Sequence, residues 1–516
     1  MYKCIHGGKM LFDYLETNIQ NKLRVLGMFH SQAQIPVPFL KEELSLSLPA
    51  INALIRNINA DLDGIAVIEK HDAMYHWCSD YPFDIHALIP LLCDDSIILQ
   101  CLRFLILNTK HQPFSTFIEE EYLTKSSSYR VRHTCEVYLN EIGLNINNNC
   151  IAGPEYRIRF LIGLLYSRYG IVCYEDDEIS RTIIKKMTLA ANPCLDASYI
   201  ERSGSDYHYF ACLMSLTWKR QNRELTPLCS SQFEQLKTLH VYDELQDIAE
   251  TIAAKTLGIR FSKQDLDYMF LVFCCTTNPL FADHWEMTEK EKVGQIVFSE
   301  GNFADLHCRF TKLFGSDVTS SHAFKTTLVT FYKKCILELQ CIIPDENCYL
   351  YSRRNSITLA LYRIILSVLN DWSLANDQRY MIRTEHVFFL SMQTAFILSR
   401  YMPPVPVYVC SDRPDELEVM YLYLNRRFSS TGSTIIPLLL NTGDKETLLH
   451  IHHAIIIADN RIDNILHGWN IDKDNTIIPI STEMNNIQLQ PVRDAIKKQE
   501  ESTFLSYLDD LAKMTG

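Results

Sequence analysis

The chain has 516 residues, of which 47% are hydrophobic and 22% are charged, and its formal net charge is −13. This composition excludes a disordered chain and a single hydrophobic core, so we expect several folded domains. A nucleic acid partner would have to meet a local basic patch, because the overall field of an acidic protein repels phosphate.

The N-terminal part of the chain predicts a helix, a second helix, a turn, a third helix and a β-hairpin. The leading helix covers residues 15–30, the third helix begins at Leu48, and the hairpin lies between residues 64 and 77. This order of elements is that of a winged helix. Asn52 and Arg56 are candidate DNA contacts on the third helix, although this surface offers few cations for phosphate.

The same order of elements recurs in the next part of the chain, which indicates a duplication. A short helix, with Ser115 as its cap and Tyr122 among its apolar positions, precedes a turn at residues 124–126. Ser126 or Ser127 is expected to cap the third helix of this second unit. The sequence therefore predicts tandem winged helix domains.

The third helix of the second unit has an apolar and a polar face, and a second hairpin is predicted after it at residues 144–151. Val131, Cys135 and Leu139 recur at helical spacing and are expected to face inward. A helix in the major groove needs arginines for guanine edges or phosphates and short hydroxyls for close approach. The candidate DNA contacts on the outward face are Lys125, Ser127, Ser128, Tyr129, Arg130, Arg132 and His133.

Between residues 177 and 400 the sequence predicts helices, because apolar residues recur at helical spacing and glycines are few. The length of this region fits two helical bundles, with a boundary near residues 285–291. The clearest helical runs cover residues 209–218, 266–273, 324–332 and 357–366.

The last part of the chain predicts a small parallel α/β domain, because short β-branched runs alternate with helical patterns. A helix is expected over residues 415–428, and Cys410 ends the first strand, at the loop where such folds often bind ligands. The predicted strands cover residues 405–410, 434–440, 454–458 and 476–480.

The seventeen cysteines contain no CxxC pair, and most of them lie within apolar runs. We therefore expect buried thiols in a reducing compartment, with neither a metal nor a cofactor. No stretch approaches the roughly 20 apolar residues that a membrane span requires. The sequence thus predicts a cytoplasmic protein without a membrane partner.

The order of these elements resembles the Mga/AtxA group of virulence-associated transcription regulators from Gram-positive bacteria. The most specific motifs lie between residues 94 and 172, in the stretches 127–132, 139–146 and 153–162. The resemblance implies a mainly α multidomain fold with two winged helix-turn-helix domains, two phosphotransferase-system regulation domains (PRDs) and an enzyme IIB-like α/β domain. The implied boundaries are 1–90, 91–175, 176–287, 288–400 and 401–516.

The resemblance also implies a DNA-binding activator, not an enzyme, that responds to carbohydrate status. Its partners would be double-stranded promoter DNA, a second copy of the chain bound through the C-terminal domain, and the phosphocarrier protein. Histidines in the helical domains can accept phosphate in this family, and the candidates here are His208, His307 and His322. Cys410 stands where enzyme IIB proteins carry phosphocysteine. Its loop lacks glycines, and Asp412 would repel phosphate, so we expect a dimerisation module without enzyme chemistry.

Three alternatives remain open from the sequence. An RNA-binding antiterminator could carry the same regulation domains, but such proteins usually begin with a β-rich RNA-binding domain. An enzyme with its site in the C-terminal domain would need a glycine-rich phosphate loop or a nucleophile elbow, and neither motif is present. A scaffold whose winged helices bind proteins, and not DNA, is the third alternative.

Overall fold

The structure, a computed structural model, divides the chain into two compact units: residues 1–354 with 365–390, and residues 355–364 with 391–516. Helices dominate the first of these compact units, and a parallel sheet forms the centre of the second compact unit. The structure describes residues 9–196, 198, 200, 205–228, 230–281, 287–298, 301–344, 356–376, 381–428, 432–440, 448–459, 462, 466, 469, 471, 475–480 and 489–515.

The first of the two predicted winged helix units, which lies within the first compact unit, contains its helices and hairpin in the expected order. Strands β2 and β3 form an antiparallel hairpin, and β1 pairs with the outer side of β3. The Ser47 hydroxyl caps the third helix by accepting a hydrogen bond from the Ala50 amide. The helices are Leu11–Tyr14, Thr17–Ser31, Val37–Leu44 and Leu48–Asp61, and the strands are β1 (Gln34–Pro36), β2 (Val67–His71) and β3 (Met74–Cys78).

The second predicted unit repeats this order, with the short antiparallel hairpin β4–β5 after its third helix. A residue from the first unit stabilises it, because Glu16 accepts hydrogen bonds from the Ser96 hydroxyl at 2.7 Å and from the Ile98 amide at 3.0 Å. Glu16 thus helps to cap a helix of the second unit. The helices are Ile85–Cys93, Ile97–Leu107, Phe114–Glu120 and Lys125–Glu141, and the strands are β4 (Asn145–Asn147) and β5 (Cys150–Ala152).

The helix Glu155–Tyr169 connects the second unit to the helical middle of the chain. It ends at Gly170, whose φ of 70° suits glycine and whose missing side chain leaves room for Pro90. At its start, the Glu155 carboxylate accepts hydrogen bonds from the buried Arg159 at 3.1 Å and from Arg220 at 2.7 Å. This shared carboxylate compensates the burial of the Arg159 charge.

The helical middle contains the four predicted apolar runs, and each run lies within one helix. A π-helical segment, Ala249–Ala254, interrupts one of the helices, and a kinked 3₁₀ segment covers Ile336–Cys341. The predicted boundary at residues 285–291 lies partly outside the described residues and stays a prediction. The helices are Glu178–Ala191, Ser205–Lys219, Ser231–Leu236, His240–Ile248, Lys255–Leu257, Lys263–Cys275, Met287–Phe298, Asn302–Phe314, Ser316–Thr319, His322–Cys335, Ser356–Ala375 and Thr384–Ser399.

Among the described residues, the helix Ser356–Ala375 is long and apolar enough to cross a membrane by length and composition alone. The expectation that no stretch reaches this length is wrong for this helix. Half of its apolar window is buried inside the protein, and Leu361 and Trp372 are fully buried, as in a core helix. The helices Ile85–Cys93 and Ile97–Leu107 reach this length only when taken together, and they are bent by 86° relative to each other.

The C-terminal part folds as a four-stranded parallel sheet in the order β7-β6-β8-β9. Each predicted strand is present to within one residue at either end. One face of the sheet packs against Met420 and Leu424, and the helix that carries them confirms the predicted amphipathic segment. The strands are β6 (Val405–Ser411), β7 (Ser433–Leu439), β8 (Ile455–Asp459) and β9 (Thr476–Ile480), and the helices are Pro414–Phe428 and Gln490–Thr515.

Fourteen cysteines lie in the described part of the chain as free thiols, and ten of them are buried. Cys410 is fully buried within β6, so it occupies the strand and not an open loop. The burial of most thiols agrees with their positions in apolar runs, and Cys78, Cys194 and Cys308 are exposed exceptions.

Candidate nucleic-acid interface

The helix Lys125–Glu141 is the candidate recognition helix, and it begins where the Thr124 side chain accepts a hydrogen bond from the Ser127 amide at 3.3 Å. The prediction of Ser126 or Ser127 as the cap is therefore wrong. The turn also lies earlier than predicted, because Tyr122, two residues after the end of the preceding helix, adopts a left-handed φ of 50°. Residues 125 and 126, which were predicted to lie in the turn, instead belong to the start of the helix.

Pro113, and not Ser115, occupies the N-cap position of the preceding helix, Phe114–Glu120, and no side chain there makes a capping hydrogen bond. Phe117 on this helix is buried, with its ring 5.4 Å from that of Phe104. Tyr122 is 95% exposed, so the expectation that it packs inward is wrong. Its side chain lies beyond the last helical residue and leaves the helical period.

The inward face of the candidate recognition helix follows the predicted spacing. Cys135 and Leu139 are fully buried, and Val131 is half-buried. Tyr138 is also buried, with its ring 5.5 Å from that of Tyr14, and burial raises the pKa of its phenol well above the usual value. This face fixes the helix in the fold and leaves the opposite face to solvent.

The outward face carries four of the seven predicted contacts as exposed side chains. Lys125, Tyr129, Arg130 and His133 are exposed, and Tyr129 has 73% of its surface accessible. Ser127 is half-buried. These residues form a small polar surface with two fixed cations at the start of the helix.

Ser128 does not belong to this surface. It is 1% exposed, and its hydroxyl donates a hydrogen bond to the Lys125 carbonyl at 2.8 Å. The prediction that Ser128 faces outward is wrong, because residue 128 lies seven positions before Cys135 and therefore on the same inward face of the helix.

Arg132 also departs from the prediction of an outward DNA contact. Its Nη1 atom donates to the Asn149 side-chain oxygen at 2.8 Å, and its guanidinium lies 5.1 Å from the centre of the Phe114 ring. The side chain is half-buried and bound to protein on both sides. Arg132 therefore holds the β4–β5 hairpin against the candidate recognition helix.

An amide network that the sequence did not single out fixes the same hairpin. Asn108 donates to the Gln112 carbonyl at 2.9 Å and to the Asn149 carbonyl at 3.0 Å, and it accepts from the Gln112 amide at 2.7 Å. Asn148 and Asn149 form the hairpin turn with left-handed φ values of 48° and 60°. The run of asparagines at residues 147–149 was a readable signal, because Asn favours this turn geometry.

The equivalent surface of the first predicted winged helix unit offers fewer exposed side chains for DNA contacts. The Asn52 side chain accepts a hydrogen bond from the Tyr75 hydroxyl at 2.5 Å and is therefore bound to the hairpin. This departs from the prediction that Asn52 is an outward DNA contact. Arg56 is exposed on the same helix. His71 on the hairpin lies 3.0 Å from the Glu69 carboxylate.

The base of the candidate recognition helix is joined to the helical middle through Arg157. This guanidinium donates to the Ile142 carbonyl at 3.0 Å, to Leu337 at 3.0 Å and to Glu338 at 3.3 Å. Leu337 and Glu338 have left-handed φ values of 50° and 59°, which non-glycine residues adopt at a cost of order 1 kcal/mol or more. Nothing in the sequence predicted this junction, since it joins segments about 180 residues apart.

The predicted phosphorylation candidates lie in three different environments. His208 and His322 are exposed, and each lies within the first turn of its helix. His307 is half-buried, with Nε2 3.3 Å from the Thr319 carbonyl and its ring 5.2 Å from that of Phe298. The two exposed histidines are therefore more accessible than the third.

Comparison with protein families gives two matches. Residues 81–166 match the Mga helix-turn-helix domain, and residues 194–395 match the M protein trans-acting positive regulator (MGA) PRD domain. Together these stretches cover more than half of the chain. The chain belongs to the Mga-type regulators. The first match contains the candidate recognition helix and its hairpin, and the second contains the three candidate histidines. No curated protein matches the chain.

The chain therefore combines a helix-turn-helix domain with a PRD, and Mga-type regulators of this kind are transcription regulators. Among the described residues, no group of three or more His, Cys, Asp or Glu side chains lies close enough together to hold a metal ion.

Proposed function

We propose that this Mga-type regulator binds double-stranded promoter DNA and activates transcription in response to carbohydrate status. The second unit, taken as a winged helix domain over residues 91–175, makes most of the DNA contacts. The observation that carries this proposal is the exposed face of Lys125, Tyr129, Arg130 and His133 beside a hairpin fixed by protein contacts.

The geometry of that face suits a major groove. A groove about 12 Å wide admits one helix, and base edges are read by side chains near the start of the helix. Tyr129 and Arg130 lie in the first two turns, and Lys125 is the first helical residue. Arg130 is assigned to base edges and Lys125 to phosphate, because Lys125 stands at the outer end of the helix.

The first unit, taken as residues 1–90, has a supporting role. Its Asn52 side chain is bound to Tyr75, and Arg56 is the exposed cation of its third helix. Glu16 helps to cap a helix of the second unit, which fixes the two units to each other. The first unit therefore positions the second one on DNA and adds few contacts of its own.

The helical middle, taken as two regulation domains over residues 176–287 and 288–400, receives the metabolic signal. His208 and His322 are the preferred acceptors of phosphate from the phosphocarrier protein, because their rings are exposed. Phosphorylation would add about −1.5 to −2 charges at pH 7. Incubation with phosphoenolpyruvate and the phosphotransferase enzymes tests this assignment, and the absence of acid-labile phosphate at both histidines would contradict it.

The C-terminal domain, taken as residues 401–516 and enzyme IIB-like, joins two copies of the chain. Val419 and Leu422 are 61% and 57% exposed on a helix whose opposite face covers the sheet. Two-fold DNA sites also favour a dimer. The burial of Cys410 favours a domain that has lost phosphocysteine chemistry.

A gel-shift assay with genomic promoter fragments, at about 100 mM salt, tests DNA binding directly. A retarded fragment that resists excess non-specific DNA is the expected result. Retention of no fragment, combined with capture of a protein partner by residues 1–175, would favour the protein-binding scaffold. Preference for RNA over duplex DNA would favour the antiterminator.

A further inference from the structure

A cavity of about 180 Å³ lies in the helical middle. Helices Ser231–Leu236, Lys263–Cys275, Met287–Phe298 and His322–Cys335 contribute to its wall. Most of the lining is apolar, with Leu239, Phe273, Leu280, Val293 and Val329 among its residues.

One cation, Lys333, stands in this apolar wall. Within the described part of the chain, its ammonium has neither a hydrogen bond nor an ion pair to a carboxylate. Lys333 is half-buried, and desolvation lowers the pKa of its ammonium, because a charge is less stable where protein displaces water. The cavity thus contains a positive charge that a bound anion could neutralise.

The neighbouring lysines differ in this respect. Lys237 pairs with Asp267 at 2.8 Å and with Glu234 at 2.7 Å. Lys334, the next residue along the helix, lies over the Phe389 ring at 5.3 Å. Lys333 therefore differs from both of these lysines, whose charges contact carboxylates or an aromatic ring.

The Asn278 side chain, which also lines the cavity, is already hydrogen-bonded. The Asn278 amide nitrogen donates to the Phe273 carbonyl at 3.0 Å, and its oxygen accepts from the Leu280 amide at 3.2 Å. A phosphate group needs several donors, whereas a carboxylate can be held by a single ammonium. The wall therefore favours a single negative charge attached to an apolar body.

We propose that this cavity binds a small carboxylate with an apolar body, of the size of benzoate or hexanoate, whose carboxylate pairs with Lys333. The size follows from volume, since an apolar cavity of about 150 Å³ holds a benzene molecule. The apolar body fills the space between Leu239, Phe273 and Val329, and the charged end replaces the missing counter-ion.

The cavity adjoins the junction that leads to the candidate recognition helix. Ile336 lines it, and the next two residues, Leu337 and Glu338, accept the hydrogen bonds of Arg157. Lys333 also shares its helix with His322. A ligand here would contact the same structural element as a phosphorylated histidine, as an input separate from phosphate.

Isothermal titration of the full chain with benzoate, and with the neutral analogue benzamide, tests the site. We expect saturable benzoate binding that is about tenfold or more tighter than benzamide binding, because a charged pair in an apolar site is worth that much. K333M should reduce benzoate affinity to that of benzamide. K325M, at an exposed position on the same helix, is the matched control and should bind as the unmodified chain does.

V329F is a second variant that fills the cavity and keeps Lys333. It should abolish the binding of both ligands, while circular dichroism reports an intact fold. Absence of saturable benzoate binding up to about 10 mM would overturn the proposal. Equal benzoate affinity in K333M and the unmodified chain would overturn it as well.

Discussion

The buried guanidinium of Arg383 lies 3.5 Å from the carboxylate of Glu141, the last residue of the candidate recognition helix. The other carboxylate oxygen of Glu141 accepts a hydrogen bond from the Tyr14 hydroxyl at 2.5 Å. Arg383 also donates to the Lys9 carbonyl. The N-terminal segment, the candidate recognition helix and the helical middle therefore meet in one polar cluster.

Replacement of Glu141 by Gln should destabilise the first compact unit by about 1–2 kcal/mol. The loss leaves the Arg383 charge buried without its counter-charge, although the partial exposure of Glu141 reduces the cost below that of a fully buried pair. Urea denaturation of the full chain measures the change. E136Q, at an exposed position on the same helix, should remain within about 0.5 kcal/mol of the unmodified protein. Equal effects of the two substitutions would contradict a special role for the Glu141–Arg383 pair.

Arg132 and Arg130 should separate structural from DNA-binding effects. R132A removes the bond to Asn149 and the contact with Phe114, so it should lower the free energy of unfolding by about 1 kcal/mol. R130A, at an exposed position, should change stability by less than about 0.5 kcal/mol. Thermal melts of the two variants measure the difference. A larger loss of stability in R130A would show that the two assignments are reversed.

Glu385 should make stability depend on pH. Burial, and then the charge of Asp13, raise the pKa of its carboxyl from 4.5 to about 7 in the folded protein. Between these values the folded protein keeps a proton that the unfolded chain releases, so the free energy of unfolding falls as pH rises. This contribution is fully present below pH 4.5 and is lost above about pH 7.

E385Q removes this titration. Its free energy of unfolding, relative to that of the unmodified chain, should therefore rise by about 2–3 kcal/mol from pH 4.5 to pH 8. Denaturation of both proteins at the two pH values measures the shift. A difference that stays the same at both pH values would contradict a raised pKa in the folded protein.

The helices and strands were predictable because their apolar periods are strong. The run from Val405 to Cys410 alternates over one buried strand, and residues 476–480 were predicted with their observed ends. Helix ends were less predictable, because several adjacent residues can cap. Thr124 and Ser126 are both good caps by type, and only the observed Tyr122 turn selects Thr124.

The direction of single side chains on the candidate recognition helix was only partly predictable. Ser128 was expected outside because it is polar, yet its position in the helical period places it inside. Arg132 was expected on DNA because it is a cation, but Asn149 and Phe114 bind it. Such contacts join residues that are distant in sequence, so composition and spacing carry little information about them.

The proposed dimer depends on the exposed apolar residues of the helix Pro414–Phe428. Replacement of both Val419 and Leu422 by Glu should convert a dimer into a monomer, because two charges would be buried without partners. Light scattering of the purified chain measures the mass. E418Q, at an exposed neighbouring position, should leave the mass unchanged. A dimer that survives the double substitution would exclude this helix as the contact.

The central claim is that the helix Lys125–Glu141 binds DNA through its exposed face. Fluorescence anisotropy with a promoter fragment, repeated over a series of salt concentrations, tests it most directly. R130A should weaken binding by about 1–3 kcal/mol, and K125A should reduce the salt slope by about one. E136A, the control on the same helix, should bind at least as tightly as the unmodified chain. Unchanged affinity and salt slope in the R130A and K125A variants, with the fold intact by circular dichroism, would contradict the claim.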